Sequence, residues 1–334
     1  MSKRLAVVTG ASAGVGRAVV REFARHDFDV ALIARNRGAL AVAQREVEEL
    51  GAKALVLPLD VADASAIDDA AARIEAELGP IDVWVNNAMV SVFSPVKEMT
   101  AAEYKRVTEV TYLGYVYGTM AALRYMLKRD EGVIVQVGSA LASRSIPLQS
   151  AYCASKHAIA GFTESLRCEL LHDGSRVKVS MVQMPALNTT QFGWVKSRLP
   201  NKPQPVPPIY QPEVAARAIL WAAQHAPREL EVGYPTVEAI LGEKLMPGLL
   251  DQYLADHCYR AQQTDEPVSP NREDNLWDYV PGDHGAHGPF GARSKGSSRE
   301  LWLATHKPLV AGLFSSLLAV GLFAVAHRTK KQLF

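Results

Sequence analysis

Short runs rich in valine, isoleucine and leucine recur through the first 235 residues of the chain. Between them, apolar positions fall three and four apart. "RLAVVTG" (4–10), "FDVALIA" (28–34), "AKALVLPLD" (52–60), "IDVWVNNA" (81–88), "GVIVQVGS" (132–139) and "VKVSMVQM" (177–184) read as strands, with "ELEVG" (229–233) as a seventh. None alternates cleanly between apolar and polar, which suits strands buried on both faces. The stretches between predict helices over Gly14–His26, Arg37–Leu50, Ala64–Leu78, Ala101–Lys128 and Ser150–His172. Strand–helix alternation of this kind predicts an α/β fold: a doubly wound parallel sheet of about seven strands with helices on both faces. Ligands of such sheets sit at the carboxyl ends of the strands.

The pattern breaks near Arg260. Residues 260–305 are rich in Pro, Gly, Asp and Ser, which predicts a flexible linker after a domain spanning 1–259. His284 and His287 lie in it, but no cysteine or acid cluster completes a metal site, and no metal is expected. Pro308–Ala326 then runs without a charge. As a helix it would span about 28 Å, close to a bilayer's hydrocarbon core. A buried terminal helix is the alternative. A membrane anchor over 306–334 is favoured because the run is apolar on every side and follows a solvated linker.

Composition narrows the function. The 334 residues carry 36 Lys and Arg against 35 Asp and Glu, for a net charge of +1, so no nucleic-acid partner is indicated. Cys153, Cys168 and Cys258 lack metal-site spacing and fit a reducing compartment. "MSKRLAVVTG" does not read as a signal peptide, so a cytoplasmic catalytic domain anchored by its C-terminus is expected. Arg328, Lys330 and Lys331 would themselves prefer the cytoplasmic side, which leaves the orientation of the tail open.

Two stretches carry chemistry. In "VTGASAGVGRAVV", Gly10, Gly14 and Gly16 fall between the first strand and the first helix. Glycines there allow a tight turn and close approach of backbone N–H groups to a pyrophosphate at the helix start. At the end of the second strand an acid would select NAD by binding the ribose 2′-hydroxyl. Here "LIARNRG" places Arg35 and Arg37 and no acid, so NADP(H) is favoured over NAD(H). In "QSAYCASKHAIAGF", Tyr152 and Lys156 stand four apart on one helix face. An ammonium beside a phenol favours the phenolate, so Tyr152 is expected to have a lowered pKa and to exchange protons near neutrality.

These residues together resemble the short-chain dehydrogenase/reductase family, whose fold is of the Rossmann type. The matching pieces are "TGASAGVG" (9–16), "LD" (59–60), "NNA" (86–88), Ser139 after the fifth strand and "YCASK" (152–156), in the family's order and covering about residues 4–235. The resemblance implies that Tyr152 is the general acid in reduction and general base in oxidation. It implies that Lys156 tunes it and holds the nicotinamide ribose, and that Ser139 bonds the substrate oxygen. It implies a cofactor site of Gly10, Ser12, Gly14, Val15, Gly16, Arg35, Asp60, Val61, Asn87, Ala88, Tyr152, Lys156, Pro185 and Thr189.

Three positions depart from the family pattern. Thr111 stands where the family has an asparagine that supports a proton-relay water, and takes that catalytic position here. Met89 and Ala186 replace glycines. The segment 186–210, with Phe192, Trp194, Leu199, Val206, Ile209 and Tyr210 among prolines, reads equally as a lid over an apolar substrate or as a surface excursion. The leading expectation is an NADP(H)-dependent oxidoreductase for a small-molecule alcohol or carbonyl, lipophilic if the tail is a membrane anchor. The alternative is a non-catalytic, membrane-tethered cofactor-binding scaffold. Faces of the helices 101–128 and 150–172 rich in small and apolar residues suggest a homo-oligomer.

Overall fold

The computed structural model describes residues 3–269 and 271–306. Seven strands form one sheet: β1 Arg4–Thr9, β2 Phe28–Ala34, β3 Ala54–Pro58, β4 Val83–Asn86, β5 Val133–Val137, β6 Lys178–Gln183 and β7 Glu229–Glu231. Their order is β7-β6-β5-β4-β1-β2-β3, and every pairing is parallel. Successive strand residues feed opposite faces. Ala6, Val8, Val83 and Val85 pack beneath helices α1 (Gly14–Arg25), α2 (Arg37–Glu49) and α7 (Pro212–His225). Leu5, Val7 and Trp84 pack beneath α3 (Ala64–Glu77), α4 (Ala101–Thr108), α5 (Gly114–Arg129) and α6 (Ser150–His172). This is the expected doubly wound sheet. Its order reverses between β1 and β4, where a ligand crevice opens.

Local chemistry sets the helix starts. Asn36 caps α2 by accepting from the Ala39 N–H, and Asp63 caps α3 by accepting from Ser65 and Ala66. Thr100 and Glu103 form a reciprocal capping box at α4. By contrast α1 begins at Gly14 with no side-chain cap, which leaves its first N–H groups for other partners. The predicted helix 101–128 is interrupted: a π-helical turn, Glu109–Leu113, joins α4 to α5. Thr111 in that turn is fully buried; its hydroxyl donates to Val90 O (2.8 Å) and accepts from Val90 N (3.1 Å).

Of residues 260–305, read from composition as a flexible linker, the described stretches 260–269 and 271–305 are laid along the domain. Gln263–Pro267 pairs antiparallel with Asn201–Pro203, Ser294–Lys295 pairs parallel with Ile209–Tyr210, and Leu276 is fully buried in the core. Much of the attachment is polar, from domain side chains to backbone carbonyls. Arg35 donates to Asn275 O and Trp277 O, Asn36 to Val280 O and Gly282 O, and Arg106 to Leu276 O. Composition underestimates such a segment, because it measures the apolar surface a stretch can bury and not the carbonyls it offers. The apolar run Pro308–Ala326 lies outside the described residues. Among the described residues no helix is long and apolar enough to cross a membrane.

Candidate active site

The carboxyl ends of β1 and β4 are stapled together. Thr9 Oγ1 accepts from the backbone N–H groups of Asn87 and Ala88, and Asn87 Nδ2 donates to Thr9 O at 2.8 Å. Gly10 follows β1 with φ +70°, and a Cβ there would stand 2.8 Å from Asn87 Nδ2. A Cβ on Gly16 would come within 2.1 Å of Gly10 O, so this glycine lets α1 pack on the turn and does not line the cleft.

The turn opens on a cavity of about 200 Å³. Gly10, Ser12, Gly14, Val15, Arg35, Asp60, Val61, Asn87, Ala88 and Thr189 line it, so most of the expected cofactor residues come together. The glycine cradle, the uncapped helix start and a cation at the end of β2 fit a dinucleotide. Asp60 accepts from the Ala62 N–H and pairs with Arg106. Burial pulls the Arg35 guanidinium below its ordinary pKa; Asp60 opposes this, and the like charge of Arg106 adds to it.

A second cavity, about 280 Å³, adjoins the first through Val15, Asn87, Met89, Thr189 and Gln191. Ser139, Tyr152, Lys156 and Pro185 line it; Pro185 is absent from the lining of the first. Ser139 sits just past β5, its N–H donating to Gln183 Oε1 (2.9 Å) and its Oγ accepting from Leu141 N (3.1 Å). Lys156 is 1 % exposed, and its Nζ donates to Val137 O (2.7 Å) and to the Tyr115 hydroxyl (3.0 Å). Burial pushes the Lys156 pKa down to about 7.

The lowered phenol expected from the Tyr152–Lys156 pair is not what this environment produces. Burial raises the Tyr152 pKa, hydrogen bonding with Ser139 pulls it back in part, and Cys153 raises it further. Lys156 Nζ stands 5.5 Å from the Tyr152 ring centroid. A lysine that titrates near 7 carries only part of its charge at neutral pH, so its field does not outweigh the desolvation of the phenol.

Thr111 lines neither cavity, and its hydroxyl bonds Val90 while Lys156 Nζ bonds Val137 O and Tyr115. The lysine's polar partner from the neighbouring helix α5 is Tyr115, one helical turn beyond Thr111. Tyr115 carried no sequence signal; it stands in the first turn of α5, just after the π-helical turn. Of the segment 186–210, Phe192 and Pro205–Pro207 line the second cavity, while Trp194 lines the first. Phe192 is buried and meets Phe93 and Phe290 edge-on. The segment is therefore a cavity wall rather than a surface excursion. Leu254 and Cys258, from the helix Pro247–Ala261, complete the wall and carried no sequence signal. His284 bonds Pro281 O and His287 pairs with Glu213; among the described residues no group of three metal-ligating side chains gathers.

Comparison with known proteins agrees with this geometry. The family model described as short chain dehydrogenase matches residues 4–198. The "Uncharacterized oxidoreductase YxnA" of Bacillus subtilis (strain 168) is 32% identical over 286 residues, covering 85% of this chain and 80% of the relative. A "Fatty acyl-CoA reductase" of Acinetobacter baylyi is 29% identical over 229 residues, covering 68% of this chain and 75% of the relative. Among solved structures, an alcohol dehydrogenase from the archaeon Thermococcus sibiricus complexed with 5-hydroxy-NADP superposes with a TM-score of 0.58 at 26% identity, covering 69% of this chain and 95% of that one. The chain belongs to the short chain dehydrogenase family and is an oxidoreductase acting on CH–OH groups.

Proposed function

We propose that the protein interconverts an apolar alcohol and its carbonyl compound with NADP(H), using Tyr152 as the group that gives or takes the proton. The observation that carries this reading is the convergence of Ser139, Tyr152 and Lys156 on one cavity that adjoins the glycine-lined cavity. The nicotinamide cofactor, when bound, supplies or accepts the hydride. Gly10, Ser12, Gly14 and Val15 would hold its phosphates, Arg35 a 2′-phosphate, and Asn87 and Thr189 the passage between the two cavities.

The chain's own residues do the rest. Ser139 is fixed through its backbone to Gln183, so its hydroxyl stands ready beside Tyr152 to bond a substrate oxygen. A phenol with a raised pKa is held in its protonated form, the form a carbonyl reduction needs from its acid. Lys156 supplies adjustable positive charge next to it. Leu141, Ile146, Leu187, Phe192 and Val206 give the second cavity an apolar wall, which suits a lipophilic substrate, and the relative named as a fatty acyl-CoA reductase points the same way. The charge-free run Pro308–Ala326 supports attachment of a cytoplasmic catalytic domain to a membrane, and exposed Met120 and Leu171 on α5 and α6 support self-association.

The test is NADPH oxidation against apolar aldehydes and ketones by the wild type and by Tyr152→Phe. A loss of about a hundredfold or more in kcat with NADPH binding retained is the expected result. Equal turnover by the two proteins would refute the role of Tyr152.

A further inference from the structure

Residues Asp274–Gly285 lie outside the segment matched by the family model, yet they form one wall of the nucleotide cavity. Asn275, Tyr279, Val280 and His284 line it together with the glycine turn. The strap is tied down at three levels. Leu276 is fully buried in the core under the α3–α6 face. Its middle hangs on Asn36, which donates to Val280 O and Gly282 O. At its end, Asp283 pairs with the buried Arg17 at 3.3 Å, and Gly285 O accepts the N–H of Gly14, the first residue of the uncapped α1.

Arg35 ties the strap to the end of β2. Its Nη1 donates to Trp277 O and its Nη2 to Asn275 O, both at 2.7 Å. A guanidinium has five N–H donors in a rigid plane. The strap uses two, which fixes the plane and leaves three for an anion. The strap's hydrogen-bond acceptors for Arg35 are neutral carbonyls, so its ion-pairing N–H groups are not taken by an acid of the strap. The carboxylates of Asp60 and Asp278 and the guanidinium of Arg106 act on its charge from nearby, and Asp60 itself pairs with Arg106.

We propose that Asp274–Gly285 is a working part of the nucleotide site: it seats Arg35 for a 2′-phosphate and encloses the adenosine end of the dinucleotide. NADPH recognition and NADPH release then both depend on the strap, whereas NADH, lacking the 2′-phosphate, depends on it less. This rests on the reading that the glycine-lined cavity holds NADP(H).

The experiment uses the full-length chain as wild type, Leu276→Ala and Asp283→Ala, with equilibrium binding of NADPH and NADH and stopped-flow release of NADPH. Leu276→Ala is expected to weaken NADPH at least about tenfold, to weaken NADH less than about threefold, and to speed NADPH release by a similar tenfold factor. Asp283→Ala moves the same quantities in the same direction by less. Folded variants with wild-type affinities and release rates would overturn the proposal, and so would variants that bind NADPH more tightly, since the strap would then be a plug. If Leu276→Ala does not fold, Asp283→Ala and limited proteolysis of the wild type decide. Cleavage within 271–290 suppressed by NADPH more than by NADH supports the strap, and equal suppression overturns it. A folded wild type that binds neither cofactor removes the functional reading itself. Tight wild-type binding with indifferent variants removes only the strap.

Discussion

Lys156 Nζ lies 3.0 Å from the Tyr115 hydroxyl, and both groups bond the same acceptor, Val137 O. Tyr115 and Lys156 are each 1 % exposed, so this triangle is buried. The hydroxyl accepts from the lysine and so favours its ammonium form. Tyr115→Phe removes that acceptor while keeping the ring that packs against Lys156. The Lys156 pKa is then expected to fall by about one unit, because a hydrogen bond to a charged group is worth on the order of 1.5–3 kcal/mol. Where activity needs the ammonium, the alkaline limb of kcat moves to lower pH by a similar amount. A pH–rate profile that does not move would reduce Tyr115 to a packing role.

Lys156 also makes stability depend on pH in a definite direction. Its folded pKa, about 7, lies below its ordinary value of 10.5. Between those values the unfolded chain binds a proton that the folded chain does not, so this group makes stability rise with pH from about 7 to 10.5. Below 7 both states are protonated and the full cost of burying the charge is felt. Lys156→Met should therefore stabilise the cofactor-free protein at pH 6 by roughly a few kcal/mol and abolish the rise, while turnover is lost. Urea unfolding of both proteins at pH 6 and pH 9.5 measures the difference; parallel changes across the two pH values would contradict it.

Thr111 reads as structural in this fold. Its hydroxyl is the partner of both the N–H and the carbonyl of Val90, and it ties the π-turn to the loop after β4. Thr111→Val keeps the shape and strands both Val90 groups in a buried place. A loss of about 2–6 kcal/mol in unfolding free energy is expected, from two unsatisfied backbone groups at about 1–3 kcal/mol each. The pH–rate profile of the surviving folded enzyme should keep its shape. A shifted profile would return Thr111 to the proton path.

How far the chain could be read in advance differs by element. β2, α6 and the start of α1 stand where the pattern places them, because buried parallel strands, a long run of helical spacing and a glycine-started helix leave local marks. Tyr152 and Lys156 were legible because they stand four apart on one helix, and Ser139 because it follows the fifth strand as in the family the chain resembles. The π-turn was not legible: "EVTYL" has no proline or glycine, and the distortion is held by a contact to Val90, distant in sequence. Tyr115 is hidden because its partners, Val137 O and Lys156 Nζ, are distant in sequence. The strap is missed because its main anchors are carbonyls, which every residue possesses. The raised pKa of Tyr152 is missed because spacing reports a neighbour and not how much water the fold removes.

The cofactor assignment is the claim on which the rest stands, and equilibrium binding of NADPH and NADH to the full-length protein, alongside Arg35→Ala, tests it most directly. The account predicts that NADPH binds at least about tenfold more tightly than NADH and that Arg35→Ala erases the difference, as loss of a charge-assisted phosphate contact requires. Equal or tighter binding of NADH by the wild type would contradict it.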